Sequence, residues 1–509
     1  MSTTDAQTAP AWAGKVVKES GISLGGSLVG TGLNYLVLLV VTRMLTPEGL
    51  GLFTLGQSVL AIAMIFVLLG TPRGLERFIP YLTAAGRKAS VGHLLRSVFT
   101  LTATTAAVVM VVLALAAGWL ARDIFEAPGF APVLRLMLLA IPMLGWVELV
   151  SASFVGIKEL RYRVYIQQLA LPSLKTGLAL AALSLGFGVM GWISAYVGSL
   201  FFAALLAFVF FRGRLLPEFR SRRTEKADIR EVMSFCWPLS VNNFVVVFAV
   251  NVGVLLLGVY RSPAEVGVYR IIIYMTLILV LIQTSFAQIY KPLSAGFAAT
   301  GDRMNSDLLY RRVGKWMLMA GGLAWLIVAL LGRDIVGVLF PESYHVGLEA
   351  LAVLAAGRLA VAACGPQAAA LEAFGNTRLS MVNAILMLGV SLGLGYVLIP
   401  RMGILGAALS TSIAVLTTAV VGLAEMGALH GLWPFSRQSM RILGAIVLTA
   451  APFWFAVRRL HPLGLGLTAL ALVLLAGSYL MMLRVLGALD ETDRAMFKAL
   501  RRRALSFGR

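Results

Sequence analysis

The sequence predicts an all-α integral membrane protein of about fourteen transmembrane helices, arranged as two six-helix lobes followed by two C-terminal helices. Three observations predict it. Of 509 residues, 59% are hydrophobic and only 13% charged, and the mean hydropathy of +0.88 is beyond that of a soluble domain. The apolar runs are continuous and about 18 residues or longer, the length that spans a ~30 Å hydrocarbon core. Inside that core each backbone N–H and C=O must be satisfied within its own segment, so the runs are helices; a barrel would show short alternating stretches.

In chain order the spans are expected at 20–43, 49–71, 93–119, 131–156, 164–186, 189–211, 233–259, 266–289, 314–332, 347–373, 379–399, 403–425, 440–457 and 463–486. The polar residues 1–19 carry Lys15 and Lys18 and precede a run with no small-residue cleavage site, so they read as a cytoplasmic segment before an uncleaved first span. Residues 20–211 form an N-lobe and 212–232 a basic cytoplasmic linker. A C-lobe follows at 233–425, then two added spans within 426–486 and a basic cytoplasmic tail at 487–509.

The net charge of +20 does not indicate nucleic acid, because the basic residues lie in loops and on no single soluble face. With the N-terminus inside, 31 basic residues fall on the inner side, seven of them from Arg212 to Arg230 and seven from Arg484 to Arg509, against 7 outside. That asymmetry predicts two cytoplasmic termini in a cell membrane. Arg220, Arg222, Arg223, Arg501, Arg502 and Arg503 are placed to attract anionic lipid head groups. The two cysteines, Cys236 and Cys364, are far apart and inside expected helices, which suggests neither a disulfide nor a metal site.

An internal repeat is visible. Thr46-Pro47-Glu48-Gly49-Leu50-Gly51 and Ser262-Pro263-Ala264-Glu265-Val266-Gly267 are 216 residues apart. Gly188-Val189-Met190-Gly191 and Gly403-Ile404-Leu405-Gly406 are 215 apart. One such match would be weak, since Gly and Pro punctuate turns, but two at nearly one offset imply duplication. A repeat of six spans keeps its orientation, giving a pseudo-twofold axis along the membrane normal.

Basic residues within the spans include Arg96, Arg135, Lys175, Arg270 and Arg358. Arg96 and Arg135 are near span ends, where a long side chain reaches the interface. Lys175 and Arg358 lie about 16 Å deep at ~1.5 Å per residue, where a charge costs at least ~2.5 kcal/mol and needs a wet cavity or a partner. Glu148 has a similar depth, so Lys175 can pair with it or face a substrate. Pro172 marks a kink or hinge in that span. Arg358 has no acid within a helical turn, and Arg270 sits near the outer mouth. Asn34, Gln57, Asn242, Asn243, Asn251, Gln283 and Gln288 either tie helices together or line a cavity. Gly25, Gly26, Gly30 and Gly32 form a small-residue packing face or a flexible segment; with no preceding strand and no Gly-Lys-Ser/Thr they are not a phosphate loop.

The segments Arg43-Met44-Leu45-Thr46-Pro47-Glu48-Gly49-Leu50-Gly51-Leu52-Phe53, Glu372-Ala373-Phe374-Gly375-Asn376-Thr377 and Ile399-Pro400-Arg401-Met402-Gly403-Ile404-Leu405-Gly406 resemble the polysaccharide-biosynthesis flippases. These are the Wzx-type branch of the multidrug, oligosaccharidyl-lipid and polysaccharide exporter superfamily. The resemblance implies a MATE-like, V-shaped pair of lobes that carries polyprenyl-diphosphate-linked oligosaccharide from the inner to the outer leaflet by alternating access. A diphosphate would be held by Arg358, with Arg270 and Lys175, because guanidinium bonds two phosphate oxygens at once. Glu148, Asn34, Asn243, Asn251 and Gln283 would line the cavity or couple transport.

Lipid II flippases and cation-coupled multidrug exporters share the fold. An exporter of cations needs cavity carboxylates, and the first two spans hold none at depth. A membrane polymerase or glycosyltransferase needs a sizeable outward loop or a carboxylate pair, and neither is seen. The expectation is therefore a carrier and no enzyme, without metal or cofactor, driven by H+, Na+ or membrane potential. Its partners would be membrane lipids, the lipid-linked substrate and polysaccharide polymerase or export machinery, with no nucleic acid.

Overall fold

The computed structural model describes residues 11–219, 226–460, 463–490 and 493. Arg220, Arg222, Arg223 and Arg501 to Arg503 lie outside the described residues, as do the side chains of Lys15 and Lys18. Every regular element described is helical, as expected. Among the described residues eleven helices are long and apolar enough to cross a membrane, and twelve if Glu349–Ala363 and Gln367–Ala373, bent by 43°, count as one span. The expected fourteen are therefore not all reached. The fifth expected span is interrupted by a π-helix over Val164–Ala170, and Val29–Met44 is a shorter apolar stretch within the first helix.

The chain divides into two compact units. Unit 1 comprises residues 1–248 with 262–267, and unit 2 comprises 249–261 with 268–509. Unit 1 is built from α1 (Ala11–Met44), α2 (Pro47–Leu68), α3 (Thr71–Ala84), α4 (Lys88–Trp119), α5 (Phe130–Leu138), α6 (Ala140–Gly156), α7 (Leu160–Arg163), α8 (Leu171–Ser184), α9 (Gly188–Phe210) and α10 (Leu216–Phe219). The first part of α11 (Ile229–Tyr260) completes it. Leu75, Ile79, Leu94, Phe154 and Cys236 form its core, where α3, α4, α6 and α11 meet.

The repeated motifs have a clear local cause. Thr46 caps α2 by accepting from the Gly49 N–H at 3.3 Å, and Pro47 occupies the first turn, where its missing N–H costs nothing. Within unit 1 the two copies of the motif pack on each other. A Cβ at Gly51 would sit 1.7 Å from the Pro263 carbonyl oxygen, and one at Gly267 would sit 2.0 Å from that of Pro47. Gly51 and Gly267 are equivalent positions of the repeat, so the contact is reciprocal. The second pair is equally matched: Gly188 and Gly403 both have φ +55°, a conformation that side chains with a Cβ disfavour.

Unit 2 is built from the end of α11, α12 (Pro263–Thr300), α13 (Arg303–Leu339), α14 (Glu349–Ala363), α15 (Gln367–Ala373), α16 (Thr377–Met402), α17 (Ile404–His430), α18 (Arg437–Leu460) and α19 (Leu465–Val485). The first turn of α12 belongs to unit 1. The last two helices pack on α13 through Leu326, Leu331, Ile446, Leu475 and Tyr479, and the Tyr479 hydroxyl donates to the Met319 carbonyl at 3.0 Å. Beyond α19 the chain is clamped. Lys315 of α13, only 3% exposed, bonds carboxylate oxygens of Asp490 and Asp493 at 2.7 Å each, and the Trp316 indole N–H donates to Asp493 at 2.7 Å.

Candidate functional site

Each unit carries its own intramembrane polar cluster. In unit 1, Lys175 on α8 donates its ammonium proton to the Oδ1 of Asn34 on α1, whose Nδ2 returns a bond to the Gly30 carbonyl at 2.8 Å. The helices can approach this closely because α1 presents glycine to the π-helix. A Cβ at Gly30 would lie 2.5 Å from the Gln168 carbonyl oxygen, and one at Gly26 would strike Val164. Gly26 and Gly30 are thus the packing face expected from sequence, whereas Gly25 and Gly32 look onto open space.

The π-helix ends immediately before α8, whose second residue is Pro172 and therefore lacks a backbone donor. In this wide turn the Gln168 Oε1 is buried without a hydrogen-bond partner among the described residues. Such turns recur at functional positions because they shift side chains out of the regular helical register. Glu148, half-buried on α6, lies beside Gln167 and Arg163, with Glu76 nearby. Arg163 in turn reaches Glu76 at 3.6 Å. Of the two readings of Lys175, the partner described is Asn34, and Glu148 sits in the neighbouring group on the other flank of the π-helix.

In unit 2 the cluster centres on Arg358 of α14. Nine residues separate it from the helix start at Glu349, roughly 14 Å at ~1.5 Å per residue. Its backbone is pinned: the Gln283 Nε2 of α12 donates to the Arg358 carbonyl at 2.7 Å, and Gly357 lies against Ser412 of α17. The guanidinium is not pinned, and its Nε is buried with no hydrogen-bond partner. The titratable group beside it is Tyr269, whose buried hydroxyl is 3.3 Å from both the Ala407 carbonyl and the Thr411 hydroxyl. Just past Arg358, the chain breaks between α14 and α15 at Gly365, with φ +73°.

Arg270 stands one residue on from Tyr269. Its guanidinium is 4.8 Å from the Tyr274 ring centre, a cation–π placement, and 3.4 Å from that hydroxyl. The other sequence candidates are dispersed. Asn243 is exposed and Asn251 half-buried on α11; Gln57 is half-buried on α2; Gln288 is exposed on α12; and Arg96 and Arg135 are exposed. Sequence reasoning passed over Tyr269, Gln167, Gln168 and a further acid, Glu425, which accepts from the Asn383 amide at 2.7 Å. Tyr269 alone had a usable signal, as the aromatic neighbour of Arg270 directly after the repeated motif.

With the geometry in hand, the relatives can be placed. The model of the polysaccharide biosynthesis protein family matches residues 16–294. The chain belongs to this family. No curated protein matches it in sequence. In fold, this family member is similar to the lipid II flippase MurJ in an inward closed conformation, with a TM-score of 0.70 at 13% identity over 92% of this chain and 98% of that one. It is also similar to an inward-facing multidrug resistance MATE family transporter of the MOP superfamily, with a TM-score of 0.67 at 15% identity over 79% and 94%. A MOP superfamily transporter from Pyrococcus furiosus, described as having a binding pocket of reverse polarity, aligns with a TM-score of 0.57 at 15% identity over 82% and 95%. These likenesses concern the fold, and with the apolar helices they make the family member a multi-pass membrane protein of MATE and MurJ architecture.

Proposed function

We propose that the protein is a flippase that moves polyprenyl-diphosphate-linked oligosaccharide from the inner to the outer leaflet of the cell membrane by alternating access. It changes no covalent bond in its cargo. The observation that carries this reading is Arg358: an arginine deep in an apolar helix, with a buried Nε lacking any partner and a tyrosine as its titratable neighbour. A cation kept inside the membrane without a carboxylate is suited to an anionic guest, and guanidinium holds two phosphate oxygens through a fixed fork. Arg270 is the second contact and Lys175 a weaker one, since its ammonium already serves Asn34. Asn251 and Gln283 supply amide groups for sugar hydroxyls, with Gln283 also holding the Arg358 backbone in place.

The same reading places both termini in the cytoplasm, takes the driving force from an ion gradient or the membrane potential, and delivers cargo to a polymerase or export machinery at the outer surface. The family match supports the polysaccharide repeat unit as cargo. A lipid II cargo is the second reading, favoured by the extent of the fold likeness to MurJ.

The test is leaflet exposure of a fluorescent polyprenyl-diphosphate oligosaccharide in proteoliposomes, beside labelled lipid II and an organic cation. Exposure of the oligosaccharide by the wild type and not by Arg358→Ala is the expected result. Movement of lipid II alone would reassign the cargo, and uptake of the cation alone would make the protein an exporter.

A further inference from the structure

Unit 1 contains a second feature that the transport reading does not use. A cavity of about 810 Å³ opens between α4, α6 and the end of α9. His93, Arg96 and Arg212 stand at its polar end and Phe99, Trp146 and Phe208 form its wall, with no Asp or Glu in the lining among the described residues. A second cavity of about 480 Å³ shares Phe99 and Trp146 with the first and continues between the same helices past Ala103 and Ala106 to Phe201. Together they make one groove, cationic at one end and apolar along its length. From Arg96 to Ala106 it runs ten residues of α4, roughly 15 Å at ~1.5 Å per residue, which is half of a ~30 Å hydrocarbon core.

The polar end is built for an anion. Arg96 and Arg212 have no side-chain hydrogen-bond or ion-pair partner among the described residues. The His93 Nδ1 accepts the Ala227 backbone N–H at 3.3 Å, so in the neutral ring the proton is on Nε2, which is thereby a donor. A π-helix over Phe211–Leu215 interrupts α9 at this level, and Phe208, Phe211, Arg212, Leu216 and Phe219 all line the one cavity. The wall is rigid: the Phe99 and Trp146 rings are 5.0 Å apart edge to face, and each is 5.4 Å from Phe211.

We infer that this groove is a binding site for one anionic phospholipid, its phosphate held by Arg96, Arg212 and His93 and an acyl chain lying along Phe99, Trp146 and Phe201. The length of the groove matches a chain confined to one leaflet, and the charge at its end matches an anionic head group; basic pockets between transmembrane helices select such lipids. In the proposed orientation the lipid belongs to the cytoplasmic leaflet. The Ala227 N–H on His93 and the Lys226 carbonyl, which accepts from Arg87 at 3.4 Å, tie the chain following α10 to this rim. An occupied site therefore steadies that connection to α11.

The experiment is native mass spectrometry of the full-length protein, delipidated and titrated with phosphatidylglycerol or phosphatidylcholine, together with its melting temperature in each lipid. The wild type is expected to retain one phosphatidylglycerol at least tenfold more tightly than phosphatidylcholine and to melt higher in it. Arg96→Ala with Arg212→Ala should erase the preference, and the double lysine variant should keep most of it. Ala103→Trp, which fills the apolar arm from an exposed position and leaves the cations in place, should also weaken retention. Equal retention of the two lipids by the wild type would mean annular lipid only. An unchanged preference in the double alanine variant, or unchanged retention in Ala103→Trp, would equally overturn the site.

Discussion

Lys175 in unit 1 and Arg358 in unit 2 are both cations set well inside apolar helices, and their surroundings differ in kind. Lys175 is satisfied by a neutral amide from a neighbouring helix and lies in a unit that also holds Glu148 and Glu76. Arg358 has its backbone fixed by Gln283 while its guanidinium Nε has no partner. The two units therefore carry unlike polar centres, one with its cation bonded to an amide and the other with a buried guanidinium Nε that has no hydrogen-bond partner; under the proposed function the second receives the guest. Lys315 completes the series, as a cation buried with two carboxylates.

The comparison can be sharpened by removing each cation in turn. Lys315→Ala should have the largest effect, because it leaves the fully buried Asp493 without its counter-charge; breaking such a pair costs about 3–5 kcal/mol. The readout is a lower melting temperature, with Asp493→Asn recovering part of it in the double variant. Arg358→Ala should lower transport at least tenfold with the melting temperature nearly unchanged, and Arg358→Lys should recover only a fraction because an ammonium lacks the fork. If transport survives Arg358→Ala in well-folded protein, the contrast between the units has no functional meaning. Lys175→Met should reduce transport only about two- to threefold, in keeping with the ~0.6 kcal/mol typical of a single hydrogen bond between membrane helices.

The smallest effect belongs to Glu159, in the turn after α6. Burial alone would raise its carboxyl, but the hydrogen bond and charge of Arg214, 2.7 Å away, with Arg161 beside it, prevail and hold it below the usual carboxylate value. A lowered folded-state pKa stabilises the fold above the unfolded value and loses that contribution as pH falls through the folded one. Glu159→Gln should therefore lower the melting temperature slightly at neutral pH, with the difference from wild type vanishing in acid below the carboxylate range.

Much of the architecture was legible before any coordinates. Hydropathy locates helices because the bilayer leaves the backbone no alternative, and the Pro and Gly positions of the repeat are legible because they answer backbone demands, a capped first turn at Thr46 and a positive φ at Gly188 and Gly403. Among the described residues the count of fourteen spans is not reached where an apolar run is not one regular helix. A π-turn at Val164–Ala170 has no compositional mark, and the bend between α14 and α15 is announced only by Gly365 and Pro366. Depth was readable for Lys175 and Glu148, but position along a sequence gives height in the membrane and not direction around the helix. Equal depth therefore left the partner of Lys175 open, and the one described is Asn34. The Lys315 clamp was invisible for a different reason: its partners lie 175 and 178 residues away.

That distance gives the clamp a temporal meaning. Lys315 leaves the ribosome 175 and 178 residues ahead of Asp490 and Asp493. Until they arrive, α13 holds an ammonium with no counter-ion. A chain cut short before residue 490 would keep that uncompensated charge, so truncation there should loosen the packing around α13.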